Sequence, residues 1–319
     1  MHAIVCEGAG GPEVLSWVDD APAPPARAGW LRIAVRWTAV NRADLLQRQG
    51  YYPPPPGASP LLGLEAAGVV LEAAGPFAVG DEVMALLPGG GYASEVVVDP
   101  RHVLPVPGAI GLQSAGGLME TFLTAYLNLT LLGELEAGQR VLVHGESGGV
   151  GTAALQWANR LGAEVWTTAS GAKLERCRAL GATRALDYRL EDFATELELA
   201  GGADLILDCL GARYLEPNLR ALRTHGRLIV IGLQGGRKAE LDLLTLLQGR
   251  KQILGSTLRT LADERKADLV SRFRDEVWPL LDRGELAVVV ERSFPLRCAA
   301  AAHAHLASGA GVGKILLEV

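Results

Sequence analysis

Short apolar runs separated by Pro and Gly dominate the first hundred residues: residues 31–35, 67–71 and 93–98 are β-rich segments set between turns. That pattern predicts a partly closed antiparallel β-domain with little helical periodicity. Between two of the runs, Tyr51 and Tyr52 precede four prolines, Pro53 to Pro56, which fix φ and stiffen an extended loop that presents a tyrosine. From about Ser114 the pattern changes. Apolar segments at residues 141–144, 164–168, 205–208, 228–231 and 252–254 alternate with helical stretches such as 149–161 and 173–180. Such alternation predicts parallel strands joined by right-handed crossovers in a doubly wound α/β domain. After a charged helix near residues 263–282, residues 287–290 and 314–319 read as strands around an Ala-rich helix, returning to the first domain. The expected division is residues 1–117 plus 260–319 for the β-domain and 118–259 for the inserted α/β domain. A cleft where they meet is the expected ligand site.

Composition narrows the function classes. A chain of 319 residues with 49% hydrophobic and 21% charged residues can bury large cores and does not read as disordered. Its formal charge of -6 argues against a nucleic-acid partner, while a local basic pocket for one phosphate stays compatible. Cys6, Cys177, Cys209 and Cys298 are scattered, with no CxxC pair, so neither a zinc ribbon nor a disulfide framework is expected and a reducing cytoplasm fits. No apolar run approaches a membrane span, and residues 1–5 lead straight into a strand-like segment, so neither a membrane partner nor a targeting segment is expected.

The chemistry concentrates where the strand at residues 141–144 runs into Gly145, Glu146, Ser147, Gly148, Gly149, Val150 and Gly151 and a helix begins at once. Glycines there let a backbone approach a pyrophosphate, whose charge is met by free helix N-terminal amides, as in a Rossmann domain. The spacing is GxxGGVG, not GxGxxG, and a plain tight turn is the alternative. The same residues also spell GxSxG, the nucleophile elbow of serine hydrolases, with Ser147 as nucleophile and Asp208 and His225 following in suitable order. At the end of the next strand, where a carboxylate would bind a ribose 2'-hydroxyl, no Asp or Glu occurs. Ser170 and Lys173 stand there instead, which suits a 2'-phosphate and favours NADPH over NADH. A solvated first-turn lysine is the bland reading of Lys173.

Three stretches carry a family resemblance: Ala39-Val40-Asn41-Arg42-Ala43-Asp44, then Gly63-Leu64-Glu65-Ala66-Ala67-Gly68, then the Gly145 to Gly151 turn. With them the chain resembles the zinc-free quinone oxidoreductases (zeta-crystallin branch) of the medium-chain dehydrogenase/reductase superfamily. Pro54 to Ala58, Ala85 to Gly91 and Gly313-Lys314-Ile315 narrow the likeness to the p53-inducible quinone oxidoreductase branch. The resemblance implies a Rossmann domain inserted into a GroES-like β-domain. Zinc members carry a metal-binding His where this chain has Leu64, and no Cys occurs near Asn41; leucine cannot coordinate zinc. His303 and His305 are two apart on a helix and so point to different faces, reading as surface or packing residues.

The resemblance also assigns roles. Asn41 and Tyr52 are expected at the nicotinamide end, as donors to the oxygen that becomes negative, with a turn role for Asn41 and substrate stacking for Tyr52 as alternatives. Thr124 is expected to contact nicotinamide or cap a helix, and Tyr188 to flank the adenosine phosphate or simply pack. Gly232 is expected at the cofactor cleft, Ser256 and Thr257 toward the nicotinamide, and Lys314 to add charge near the 2'-phosphate or stand exposed. Cys209 reads as a small buried hydrophobe. The implied activity is hydride transfer from NADPH to a quinone or similar small electrophilic carbonyl compound, by a homodimer paired along residues 251–256. Alternatives are reduction of α,β-unsaturated ketones or aldehydes, nucleotide binding without turnover, and ester hydrolysis through Ser147.

Overall fold

The computed structural model of the chain describes residues 1–145 and 148–319; Ser147, with Glu146, lies outside the described residues. The chain forms two compact units, Met1–Leu123 with Leu258–Val319, and Thr124–Thr257, where the sequence pattern put the junctions at 117/118 and 259/260.

The unit Thr124–Thr257 is built on a six-stranded parallel sheet. Its order is Arg184–Asp187, Glu164–Ala169, Arg140–His144, Ala203–Asp208, Leu222–Val230, Gln252–Gly255. Counted along the chain this is 3-2-1-4-5-6, the doubly wound Rossmann order, which reverses direction between the first and fourth strands. Strands covered on both faces should be continuously apolar, and Val141, Leu142, Val143, Val165, Ile206, Leu228 and Ile229 are all fully buried. Trp166, Leu186, Phe193, Leu197 and Leu219 fill one side of the sheet. Gln252–Gly255, the segment expected to pair with a second copy, is the sheet's edge strand.

The other unit carries a seven-stranded sheet whose order is Val290–Pro295, Lys314–Glu318, Leu31–Val40, Glu65–Glu72, Glu82–Leu86, Val103–Pro105, with Glu95–Val98 also pairing with Leu31–Val40. The C-terminal strand therefore inserts next to the long central strand, placing Ile315 against Val40 in antiparallel register. The strand expected at residues 287–290 begins only at Val290. The apolar run is a misleading cue, because Val289 is a buried approach to the sheet whose carbonyl accepts the Lys314 N–H (2.7 Å). The edge strand itself reads Val-Glu-Arg-Ser-Phe-Pro and is largely exposed, so it lacks the apolar signature of a covered strand. A short helix, Arg42–Arg48, follows the central strand directly and starts at a capping box in which Asp44 Oδ2 accepts the Asn41 backbone N–H (2.8 Å). Among the described residues no helix is long and apolar enough to cross a membrane.

Candidate active site

In the Rossmann-type unit, five expected cofactor residues follow the carboxyl ends of parallel strands: Gly145, Ser170, Tyr188, Gly232 and Ser256, with Thr257 next in the chain. Because the strands are parallel, all of these lie along one edge of one sheet. Gly145 has φ +72°, and a β-carbon there would run into the Cys209 sulfur across the switch point. Only glycine satisfies both demands. A β-carbon at Gly232 would lie 2.8 Å from the Cys209 carbonyl oxygen, so the two strand ends are closely packed there. Gly148 is the N-cap of the twelve-residue helix Gly149–Arg160 and offers no side-chain cap, which leaves the first-turn amides, those of Gly149, Val150 and Gly151, uncapped by any side chain at their own N-cap. Gly151 is buried, whereas Gly148, Gly149 and Val150 are half-buried.

Ser170 is the N-cap and Lys173 the last residue of a short 3-10 turn after Glu164–Ala169, and both are half-buried. The Tyr188 N–H bonds to the Ala169 carbonyl (3.2 Å), bringing the next strand's end against Ser170. The Arg189 guanidinium lies 5.7 Å above the Tyr188 ring, a second cation at the same edge that the sequence pattern does not reveal. One carboxylate does approach. Asp187 Oδ2 would be 2.7 Å from a β-carbon at Gly171, while its Oδ1 accepts the Arg189 N–H (3.0 Å).

The geometry separates the Asp208 and His225 of the hydrolase alternative. His225 is exposed at the start of Leu222–Val230, a strand whose other end, Val230, pairs with Asp208. Histidine and aspartate therefore occupy opposite ends of the sheet, and His225 instead accepts from Arg250 Nε (3.2 Å). Asp208 accepts the amides of Leu210 (2.7 Å) and Gly211 (2.9 Å), and burial pushes its carboxyl up to about 6. His144 is bound between Thr168 Oγ1 and Asn218 Oδ1, both at 2.8 Å, and burial holds it down at about 4 and neutral.

In the β-unit, the Asn41 side chain is fixed by charge on both sides. Its Oδ1 accepts from Lys314 Nζ (2.7 Å), its Nδ2 donates to Glu65 Oε1 (2.9 Å), and Lys314 and Glu65 pair at 2.8 Å. An ammonium only donates and this carboxylate accepts, so the amide can point only one way. One Nδ2 hydrogen then remains for another acceptor. Lys314 is 3% exposed. The expectation of a lysine that stands exposed, or that brings free charge to a phosphate, is corrected: Glu65 neutralises it. Glu65 Oε2 also accepts the Glu120 backbone N–H (3.0 Å) at the start of the helix Met119–Tyr126. In that helix Glu120 and Thr124, one turn apart, are the two residues not buried. Burial, reinforced by the charge of Glu65, pushes the Glu120 carboxyl up to about 8.

Tyr52 is half-buried. Arg259 lies 5.3 Å from its ring centre, donates to its carbonyl (3.4 Å), and is tied down by Pro88 O (2.8 Å) and Gln47 Oε1 (2.7 Å). Burial and nearby Glu120 raise the Tyr52 phenol. Behind Asn41 runs a buried relay whose direction is forced. Arg48 can only donate, so His303 Nδ1 accepts (3.2 Å), His303 Nε2 donates to the Tyr92 hydroxyl (3.0 Å), and Tyr92 donates to Asp44. His303 is fully buried, and its burial together with Arg48 holds it down at about 3.

Glu65, Glu120, Arg259 and the Arg48–His303–Tyr92 relay were given no role by the sequence pattern. Their partners lie far away along the chain, so no local spacing announces them. Leu64 is buried at 1% exposure, and among the described residues no group of three or more His, Cys, Asp or Glu is arranged to hold a metal ion.

A doubly wound parallel sheet with a glycine turn at its switch point, interrupting an antiparallel β-unit along the chain, is the arrangement of a dinucleotide-binding fold. The comparisons agree with that class. The alcohol dehydrogenase GroES-like domain family matches residues 27–108 and the zinc-binding dehydrogenase family residues 149–274. The human synaptic vesicle membrane protein VAT-1 homolog is 30% identical over 340 residues, 99% of this chain and 86% of that protein. A Mycobacterium tuberculosis protein described as a putative inactive phenolphthiocerol synthesis polyketide synthase is 34% identical over 92% of this chain, yet the chain spans 18% of its length. Among solved structures, Escherichia coli quinone oxidoreductase complexed with NADPH superposes with TM-score 0.89 at 28% identity, covering 100% of both chains. The JamJ enoyl reductase gives 0.88 at 26%, covering 99% of this chain and 98% of the other. The chain belongs to the medium-chain dehydrogenase/reductase superfamily. The likenesses spread over several branches and do not single out the p53-inducible one.

Proposed function

We propose that the protein is a zinc-independent reductase that takes hydride from NADPH and delivers it to a quinone. The observation that carries this reading is the sheet edge in the unit Thr124–Thr257. A helix start whose N-cap, Gly148, has no capping side chain supports a pyrophosphate contact, and Ser170, Lys173, Tyr188 and Arg189, which follow the ends of two paired strands, support a 2'-phosphate contact. Reduced nicotinamide would supply the hydride chemistry. This chain's residues bind and orient: Asn41 offers one remaining amide hydrogen in a fixed direction, and Tyr52 offers a hydroxyl on a loop clamped by Arg259. The NADPH-bound quinone oxidoreductase relative supports the same cofactor for this chain.

Comparative titration with NADPH and NADH tests the reading. Wild type should prefer NADPH, and Lys173→Glu should lose about tenfold or more of that preference, the worth of one charge-assisted contact replaced by repulsion. Unchanged discrimination would remove Lys173 from the phosphate site.

A second reading is reduction of an α,β-unsaturated ketone or aldehyde, for which Glu120, whose charge acts on the Tyr52 phenol, is an acidic group in the same unit. Hydride addition to an enone leaves an enolate that must gain a proton, whereas a hydroquinone anion exchanges readily with water. Similarity to an enoyl reductase supports it as well. Turnover numbers with ortho-quinones, para-quinones and enones separate the two readings, and NADPH binding with no oxidation by any acceptor would favour a binding protein.

A further inference from the structure

Resting on the reductase reading, we infer that Arg259 is a positioning residue: it holds the Tyr52 ring as a fixed surface on which a flat, ring-shaped acceptor stacks, and so sets a preference for cyclic over open-chain acceptors. The inference starts from how the guanidinium is held. Arg259 is 4% exposed, and its donors run to three segments of the β-unit: Nε to the Pro88 carbonyl (2.8 Å), Nη2 to Gln47 Oε1 (2.7 Å) and Nη1 to the Tyr52 carbonyl (3.4 Å). A planar fork bonded in three directions cannot turn without losing one of them. All three acceptors are neutral. The guanidinium carbon lies over the face of the Tyr52 ring, 5.3 Å from its centre, within reach of a cation–π contact.

The loop that carries the ring is tied to the same point at both ends. Arg259 meets Tyr52 where the loop begins. Gln47, which accepts from Arg259, donates through Nε2 to the Pro60 carbonyl (2.9 Å) where the loop ends. Between those ties Pro53 to Pro56 fix φ. The two tyrosines at the start of the loop differ accordingly. Tyr51 is 79% exposed, whereas Tyr52 is half-buried, covered on one face by Arg259 and still open in part.

Stacking rewards a ring whose plane is already set, because an acceptor that must first order the side chain loses that cost from its affinity. A quinone presents a flat ring to such a surface, and an open-chain enone presents a much smaller plane. The Tyr52 hydroxyl is not needed for this. The competing role for Arg259 is a staple that joins three segments and leaves the acceptor untouched. That role would slow every acceptor alike and would not depend on an aromatic ring at position 52.

The test is a set of double-mutant cycles read as kcat/KM at saturating NADPH, with a fused-ring para-quinone and an open-chain α,β-unsaturated ketone. Arg259→Lys keeps the charge and loses the fork. It should lower kcat/KM for the quinone by about threefold to tenfold, mainly through KM, and for the ketone by less than about twofold. In a Tyr52→Phe background, which keeps the ring, the quinone loss should persist. In a Tyr52→Leu background, which removes the ring, Arg259→Lys should cost nothing further. An undiminished loss in the Tyr52→Leu background, or equal losses for the two acceptors, overturns the inference while leaving the reductase reading intact. No turnover of any acceptor by wild type overturns the reductase reading and the inference with it. Should Arg259→Lys fail to fold, Gln47→Leu, which frees one side of the guanidinium, decides. A quinone-selective loss of roughly twofold to threefold that vanishes with Tyr52→Leu is expected, and a loss that persists without the ring overturns the positioning role.

Discussion

The unit formed by residues 1–123 and 258–319 buries Lys314, Arg48 and Arg259 together with Glu65 and Asp44, whereas the unit Thr124–Thr257 buries no Lys, Arg or Glu among its described residues. Its polar interior consists of His144, Thr152, Thr167, Thr168, Asn128 and Asn218, with Asp187 at its margin and Asp208 held by backbone amides. On the reductase reading, the contrast follows from what each unit would have to fix. A pyrophosphate is recognised by backbone amides, and their direction is set by helix and sheet geometry alone. A reacting carbonyl oxygen needs side-chain donors aimed at one point, and long side chains are fixed only by being tied at both ends. The charged lattice around Asn41 and Tyr52 supplies that restraint.

The comparison breaks most visibly at Lys314. Lys314→Met leaves Glu65 buried at 0% exposure with its cation gone, and removal of one partner of a buried pair costs about 3–5 kcal/mol. Urea unfolding should show that loss. The double variant Lys314→Met/Glu65→Leu should regain much of it, because no uncompensated charge remains. A single-variant loss below about 1 kcal/mol would mean that water reaches the pair and that it behaves as a surface bridge.

These same groups mark the limit of what the sequence reveals. The glycine turn and its helix are read from residues 140–160 because a strand end, a tight turn and a helix start are written in consecutive positions. Lys314 meets Asn41 across 273 residues of chain and Glu65 across 249. Nothing near Gly313-Lys314-Ile315 distinguishes a buried cation from an exposed one. His303 shows a mixture. The helical rule that separates it from His305 holds, since His305 bonds to Glu291 while His303 meets Arg48 and Tyr92. Its burial follows from the packing of Ala299 and Ala302 on the same helix, which an Ala-rich pattern leaves undirected.

A smaller effect sharpens the other side of the comparison. Gly145→Ala forces a residue with a β-carbon into φ +72° against the Cys209 sulfur. Backbone strain of that kind costs about 1–3 kcal/mol. Under the reductase reading, NADPH affinity should fall with it, as the turn moves away from the switch point. Adding Cys209→Gly should recover the steric part and leave the φ part. Fluorescence titration together with urea midpoints separates the two. Full recovery would show that only the thiol contact matters.

The smallest expected effect distinguishes the two units by pH. His303 in the unit with buried cations and His144 in the unit without them are both held neutral in the fold, at about 3 and about 4, below the ordinary histidine value of 6.5. In the unfolded chain each takes a proton as pH falls through that value, whereas the native state does not. The unfolded state then binds more protons, and stability present above about pH 6.5 is lost progressively toward acid, by up to about 1.4 kcal/mol per pH unit for each group. The two histidines should nevertheless respond differently to substitution. His144 sits between two neutral partners, so His144→Gln should flatten the acid slope at modest cost near neutral pH. His303 is the acceptor for a buried guanidinium, so His303→Leu should flatten the slope equally yet lose more stability at every pH, because Arg48 is left with an unmet donor. Urea midpoints at about pH 7 and about pH 5.5 for the two variants test this. Equal losses at neutral pH would mean that the Arg48–His303–Tyr92–Asp44 relay packs the interior without supporting the charges around Asn41.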